Sequence, residues 1–208
     1  MSRSKQYDRT DLLNKSVELF RRTGFNGTST ADLVSELGIN RKSMYAEFGS
    51  KQKLFEATLD YYNQNHLSRV LAPLEAEDAG LESIRQAFYG YALAIEGPFR
   101  GLGCLMCNTA AERGALEAGS KPFIDAYLKR LTRAFKHVLA NAQQNGEIDP
   151  LDTDEMAGFL TTTLVGVAAS VRAEASPEQV WATYQVITKM VDRLSSRQIA
   201  AKKLAVSH

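Results

Sequence analysis

Residues 28–55 read Thr28-Ser-Thr-Ala-Asp-Leu-Val-Ser-Glu-Leu-Gly38-Ile-Asn-Arg-Lys-Ser-Met-Tyr-Ala-Glu-Phe48-Gly-Ser-Lys-Gln-Lys-Leu-Phe55, and this stretch decides the fold. Upstream of it, Leu13, Val17 and Phe20 recur at helical spacing in an amphipathic helix that Gly24 closes. Thr28-Ser29-Thr30 then leads into a short helix ending at Leu37-Gly38. A turn through Ile39-Asn40 follows, and a second short helix covers Arg41 to Phe48. That order describes a helix-turn-helix unit, so the expected partner is double-stranded DNA.

The wider composition agrees with a globular reader of DNA. The chain has 208 residues, 44% of them hydrophobic, and no apolar run approaches the roughly 18 residues of a membrane helix, so no membrane partner is expected. Its formal charge of +1 hides an asymmetry: residues 1–55 carry ten Lys/Arg against six Asp/Glu, a net +4, which leaves −3 for the remainder. The basic end coincides with the helix-turn-helix unit. So modest a field implies phosphate contacts placed singly rather than a polybasic arm. Met1-Ser-Arg-Ser-Lys-Gln6 lacks the apolar core of a leader, which makes the cytoplasm the expected location. Two cysteines are too few for a disulfide framework.

Helical periodicity continues to the C-terminal region. Ser50-Lys51-Gln52-Lys53 opens a long helix, apolar at Leu54, Phe55, Leu59 and Tyr62, that is expected to bridge residues 50 to 71 and to stop before Pro73. One body helix is marked by Ile84, Ala87, Phe88, Tyr91 and Ile95 up to Gly97-Pro98, and another by Ile124, Tyr127, Leu131, Phe135 and Val138 up to Gly146. Asp152 with Glu155 resembles a capping box, and Ser176-Pro177-Glu178 supplies an N-cap, a first-turn proline and an acid at the positive dipole end. The fold class is therefore all-α: a three-helix helix-turn-helix head at 1–50, and a helical-bundle ligand-binding and dimerisation domain of five or six helices at 51–208. The helix after Asp152 presents Leu160, Val165, Gly166 and Ala169, and the last helix presents Trp181, Tyr184, Ile187 and Val191. Apolar surface on more than one side of this pair makes them candidates for a homodimer seam.

The head carries a family resemblance. Thr28-Ser29-Thr30-Ala-Asp-Leu, Leu37-Gly38-Ile39-Asn40-Arg41-Lys42-Ser43-Met44-Tyr45-Ala46-Glu47-Phe48 and Ser50-Lys51-Gln52-Lys53-Leu54-Phe55 resemble the DNA-binding head of the TetR family of transcriptional regulators. The resemblance implies a dimeric repressor whose C-terminal domain binds a small molecule and thereby releases operator DNA. It assigns Tyr45 and Lys51 to the DNA backbone, with Thr30 donating from the start of its own helix. Thr30 as a simple N-cap and Tyr45 as a core ring are the competing readings.

Helical geometry turns Ile39, Met44 and Phe48 to the core and Arg41, Lys42 and Ser43 to the groove. Arg41 and Lys42 either donate to guanine O6/N7 or hold phosphates. Lys42 and Glu47 depart from the common family pattern. Glu47 is expected to be plain surface, with acceptance from cytosine N4 and phosphate repulsion as alternatives.

A second feature is Gly101-Leu-Gly-Cys104-Leu-Met-Cys107-Asn-Thr-Ala-Ala-Glu112. It is similar to the ligand-domain region of one TetR subgroup with a Gly-Cys-Leu segment. The glycines place Cys104 near a helix start, where the dipole lowers a thiol pKa, and Cys107 lies one turn later. The two sulfurs are either buried small hydrophobes, a redox or electrophile sensor, or two ligands of a soft metal. His66 and His137 show no ligand spacing, so no metal or other cofactor is expected.

The resemblance places an effector pocket between the bridging and body helices. Its candidate walls are Tyr62, Phe88 and Tyr91, then Cys104, Met106, Cys107 and Asn108, then Phe123, Tyr127, Phe159 and Leu164. This mixture of apolar and hydroxyl-bearing residues suits a small hydrophobic or aromatic effector. The sequence has no phosphate-binding glycine loop, no His-Glu-x-x-His and no nucleophile elbow, so an enzyme is not expected. A helical protein-interaction module without DNA binding is the remaining alternative.

Overall fold

The computed structural model describes residues 7–115 and 119–205, apart from the side chains at 113 and 196–205. The leader reading of Met1–Gln6 lies outside the described residues. Among the described residues every regular element is helical, and no helix is long and apolar enough to cross a membrane. They group into two compact units, one running through Leu67 and including Leu102–Tyr127, the other holding Ser68–Gly101 and the residues from Leu128 onward.

The first unit is built on α1 (Arg9–Gly27), α2 (Thr30–Leu37), α3 (Arg41–Phe48) and α4 (Lys51–Tyr62). Asp8 caps α1 by accepting from the Thr10 amide. The inward face of α1, Leu12, Leu13, Val17 and Phe20, is buried against Leu33, Leu54, Phe55 and Leu59. Phe20 meets Phe55 edge-on at 4.7 Å between ring centres. Gly24 interrupts α1 with φ 74° and ψ 176°, and Gly38 ends α2 in the left-handed conformation with φ 65°. The same unit holds α7 (Leu105–Ala110), α8 (Arg113–Ala115) and the first two turns of α9 (Lys121–Gln144). The periodicity argument did not separate the short α7 and α8 from their surroundings.

The bridging segment differs from the expected single helix. After α4 comes a π-helical turn, Asn63–Leu67, and then α5 (Ser68–Glu75), which contains Pro73 rather than stopping before it. Leu71 and Leu74, on either side of the proline, are both buried. Pro73 forgoes one amide bond and crowds the carbonyl a turn earlier, and the burial on both sides carries the turn through.

The second unit packs α5, α6 (Leu81–Ala94), the remainder of α9, α10 (Thr153–Arg172) and α11 (Pro177–Ala205). Phe88 and Phe135 stack at 6.2 Å in its core. Arg130 on α9 holds Glu75 on α5 through two bonds of 2.6 and 2.7 Å, which keeps that carboxyl below its usual range. Asp152 caps α10 by accepting from the amides of Asp154 and Glu155.

Gly24 offers a direct test of this backbone. Gly24→Ala is expected to cost about 1–3 kcal/mol for the positive-φ, extended-ψ conformation alone, and its Cβ would also meet Glu112 Oε2 at 2.8 Å. Gly27→Ala, whose Cβ would have Thr23 Cβ at 3.9 Å as its nearest neighbour, is the matched control. Urea denaturation should show a lowered midpoint for Gly24→Ala alone. Equal midpoints would remove the conformational argument.

Candidate functional site

The turn before α3 fixes what that helix presents. Asn40 caps it by accepting from the Ser43 amide at 2.8 Å, and Met44 and Phe48 anchor its inner face. With that face committed, Arg41 and Lys42 are exposed, Ser43 is half-buried and Tyr45 keeps 37% of its surface. The Arg41 guanidinium lies 5.6 Å from the Tyr45 ring centre. Hydrogen bonds from Thr30, then from Arg41, pull the Tyr45 hydroxyl below the usual phenol range. Thr30, Arg41 and Tyr45 thus converge from two helices into one donor-rich patch. Thr30 is not the N-cap of α2: Ser29 is, in a reciprocal capping box with Asp32. The Lys51 ammonium sits 4.4 Å from the Phe25 ring centre, and partial burial pushes it below the usual amine range.

Glu47 is not plain surface. Its carboxylate accepts from Arg9 Nε at 3.2 Å and from the Tyr7 hydroxyl at 3.3 Å, and its side chain is only 6% exposed. Committed to these donors and almost wholly covered, it ties the start of α1 to the end of α3 and does not present its carboxylate to a base edge.

The Gly103–Glu112 segment is tied to α1 at both ends. Arg21 donates to the Gly103 carbonyl from Nε at 3.2 Å and from Nη2 at 2.6 Å. Glu112 accepts from the Phe25 amide at 2.8 Å and from the Asn26 amide. Gly24, which breaks α1, is what allows the carboxylate to approach so closely. Sequence reasoning did not single out Arg21, and it marked Glu112 as the acid of the Gly-Cys-Leu segment without a structural role. Their partners lie more than 80 residues away, so no local pattern marks these bonds.

Between these ties lies the thiol pair, with no disulfide joining the two sulfurs. Cys104, in extended backbone at φ −100° and ψ 128°, immediately precedes α7, and Cys107 is that helix's third residue. Both are buried, at 2% and 7% exposure. The Cys107 thiol donates to the Cys104 sulfur, which lowers Cys104 to about 6 against the opposing effect of burial. Backbone amides of Cys107 and Met106 and the Tyr62 hydroxyl assist. The leading cause is therefore the neighbouring thiol rather than the helix dipole. Cys107 is pushed up correspondingly, and its sulfur lies 3.8 Å from the Tyr127 hydroxyl. Tyr62 is also pushed up, first by burial.

Of the effector candidates, Tyr62, Cys104, Cys107 and Tyr127 form this one polar chain in the first unit. Met106 is buried there, Phe123 is half-buried, and half-buried Asn108 donates to the Leu102 carbonyl while its Oδ1 has no partner. In the second unit Phe88 and Leu164 are core residues and Tyr91 is half-buried. Phe159, 50% exposed, points outward from α10 and lines no interior wall. Of the seam candidates, Leu160, Ile187 and Val191 are buried within the single chain, so their surface is already spent on its own core. Val165, Trp181 and Tyr184 stay half-buried, and Gly166 and Ala169 are exposed. Trp181 Nε1 donates to Glu96 at 2.9 Å.

A three-helix head with a capped, basic third helix defines a helix-turn-helix protein. Comparison with known proteins takes this further. Residues 12–58 match the family model described as bacterial regulatory proteins, tetR family, and residues 80–187 match the tetracyclin repressor-like C-terminal domain. The uncharacterized HTH-type transcriptional regulator YezE of Bacillus subtilis (strain 168) is 29% identical over 92% of this chain and 100% of its own length. The HTH-type transcriptional repressor ComR of Escherichia coli (strain K12) is 32% identical over 86% of each chain. Among solved structures, a cysteine-substituted TetR family regulator CifR complexed with 26-bp double-strand operator DNA is similar at TM-score 0.78 and 23% identity, covering 90% of this chain and 98% of that one. A TetR family regulator from Agrobacterium tumefaciens is similar at TM-score 0.73 and 25% identity, covering 89% and 96%. The chain belongs to the TetR family of bacterial regulatory proteins. It is a DNA-binding transcriptional regulator and not an enzyme.

The thiol pair has a pH signature. A folded-state value below the ordinary one means that folding favours the Cys104 thiolate. That stabilisation is complete above the ordinary thiol value and is lost as pH falls through about 6. The titratable groups facing the two sulfurs are Tyr62 and Tyr127, with Arg21 acting on Tyr62. Thiolate absorbance at 240 nm should rise with a midpoint near pH 6, and Cys107→Ala should move that midpoint upward, because burial then acts without the S–H donor. A midpoint unchanged by Cys107→Ala would contradict the assigned cause.

Proposed function

We propose that this regulator is a homodimeric repressor that acts in the cytoplasm, holds a palindromic operator with paired α3 helices and is released by a small hydrophobic or aromatic effector. The observation that carries this reading is the outward patch of Arg41, Lys42, Ser43 and Tyr45 on α3, joined by Thr30 of α2, with the opposite face of α3 locked in the core by Met44 and Phe48. Lys51 extends the patch from the start of α4. In this reading residues 1–50 read DNA and residues 51–208 receive the effector and form the dimer. The repressor activity named for ComR supports release rather than activation, and the operator complex of CifR supports duplex DNA as the partner.

The dimer reading rests on the outward faces of α10 and α11. Phe159, Gly166 and Ala169 on α10 and Val186, 62% exposed, on α11 supply apolar or small surface. The seam therefore draws on Val165, Gly166, Ala169, Trp181 and Tyr184, with Leu160, Ile187 and Val191 supporting it from beneath. Effector binding acts on operator affinity by displacing the segment from Ser50 to Leu71, in which the π-helical turn is the irregular part.

The test is fluorescence anisotropy with DNA flanking the protein's own gene, at several salt concentrations. Affinity should fall steeply with salt, and Lys51→Ala should reduce the slope of log K against log salt by about one. Arg41→Ala and Tyr45→Ala should weaken binding without changing thermal stability appreciably. Full affinity in all three variants would overturn the assigned face, and a monomer by analytical ultracentrifugation would overturn the paired-helix reading.

A further inference from the structure

The operator reading leaves the Cys104–Cys107 pair without a role and the effector reading uses it only as pocket wall, yet its surroundings are not those of packing thiols. A cysteine used as a small hydrophobe needs only apolar neighbours. The Cys104 sulfur instead gathers the Cys107 thiol, the Tyr62 hydroxyl and two backbone amides as donors, the environment that holds a thiolate. Cys107 is thereby aimed at Cys104. One helical turn separates Cα atoms by about 5 Å, within the ~4.4–6.8 Å span of disulfides.

The segment is also mechanically connected. Arg21 grips the carbonyl of Gly103, the residue before Cys104, and Glu112, two residues past the end of α7, holds the Phe25 and Asn26 amides of α1. Tyr62, which bonds Cys104, is the last residue of α4, the helix that follows α3. A change at the two sulfurs therefore reaches both helices that support the DNA-reading helix.

We propose that Cys104 and Cys107 are a reversible dithiol switch, closed to an intramolecular disulfide by a hydroperoxide, and that closure lowers operator affinity through the ties of Gly103 and Glu112 to α1. In the first step the Cys104 thiolate attacks the terminal peroxide oxygen. The O–O bond breaks, Cys104 becomes a sulfenic acid, and the departing alkoxide or hydroxide takes up a proton. The Cys107 sulfur then displaces the sulfenic hydroxyl, which leaves as water with the Cys107 proton. The two sulfurs have lost two electrons and the hydroperoxide has gained them. The disulfide sulfur no longer accepts strongly from Tyr62, and α7 must adjust to the new bond. A dithiol reductant reverses the change.

The effect on DNA rests on the operator-binding reading, whereas the disulfide itself does not, so two readouts are taken on the full-length protein titrated with hydrogen peroxide. Intact mass should fall by about 2 Da with both free thiols lost, reversibly with dithiothreitol. Anisotropy should show operator affinity dropping about tenfold or more in parallel. Cys104→Ser and Cys107→Ser should each lose the mass change and the affinity response, and either variant alone decides if the other fails to fold. Glu112→Gln should still form the disulfide while its affinity responds less. Added oxygen without disulfide, an intermolecular product, or a disulfide that leaves affinity unchanged would overturn the switch. If the reduced protein binds no operator, the operator reading fails, and with it the coupling half of the proposal; an absent disulfide would then overturn the rest.

Discussion

A single carboxylate organises the first unit. Where Gly24 breaks α1, two backbone amides, Phe25 and Asn26, are left without helical partners, and Glu112 accepts both. The Phe25 amide is part-buried, and a buried donor left unpaired commonly costs about 1–3 kcal/mol, so the helix break and the carboxylate support each other. Glycine is needed at position 24 for two reasons: its φ of 74° lies in the left-handed region, and a Cβ there would strike the accepting oxygen. This bond fixes the end of α1, which carries Phe20 against Phe55 and thus sets the floor on which α3 rests. With Arg21 holding Gly103 further up the same helix, the Gly103–Glu112 segment becomes part of the DNA-binding head.

That arrangement explains how a nearly neutral chain assembles a basic face. The head spends some charges internally. Arg9 is committed to Glu47 and Arg22 to Glu36. Arg41 and Lys42 remain outermost on α3, with Thr30 and Tyr45 beside them. A phosphate placed there meets hydroxyl donors as well as cations, a geometry that positions the duplex without a large long-range field. Glu47 contributes by orienting the end of α3 rather than by contacting a base.

The legible part of this structure was the part encoded by local periodicity and caps. The α3 boundaries, the Asn40 turn, the inward Met44 and Phe48, and the Asp152 cap all rest on residues within four positions of one another. What escaped was held by long-range bonds: Glu47 with Arg9 across 38 residues, Arg21 with Gly103 across 82, Glu112 with Phe25 across 87. Nothing within a helical turn of those residues distinguishes them from surface charges. Pro73 misled for a related reason, since burial of Leu71 and Leu74 outweighs one missing amide. The thiol pair was visible as a spacing, but its polarity depends on Tyr62, 42 positions before Cys104, which periodicity had placed only as an apolar helix position.

The last two helices show how a sequence stripe can be right in kind and shifted in register. Apolar residues lie all around α10 and α11, and the candidates for the seam fall on both sides of each helix. Leu160 and Leu164 with Val167 and Val171 form the inward stripe of α10, while Phe159, Gly166 and Ala169 lie on its outward side. The inward stripe has already gained its burial energy, about 1.5–3 kcal/mol for each large side chain, and cannot gain it again at a dimer interface. A second copy of the chain can add stability only by covering the outward residues, where Phe159 and Val186 still expose half or more of their surface. Small residues between them let two such helices approach closely, so the proposed four-helix seam is specified by what the outward face lacks in bulk as much as by what it carries.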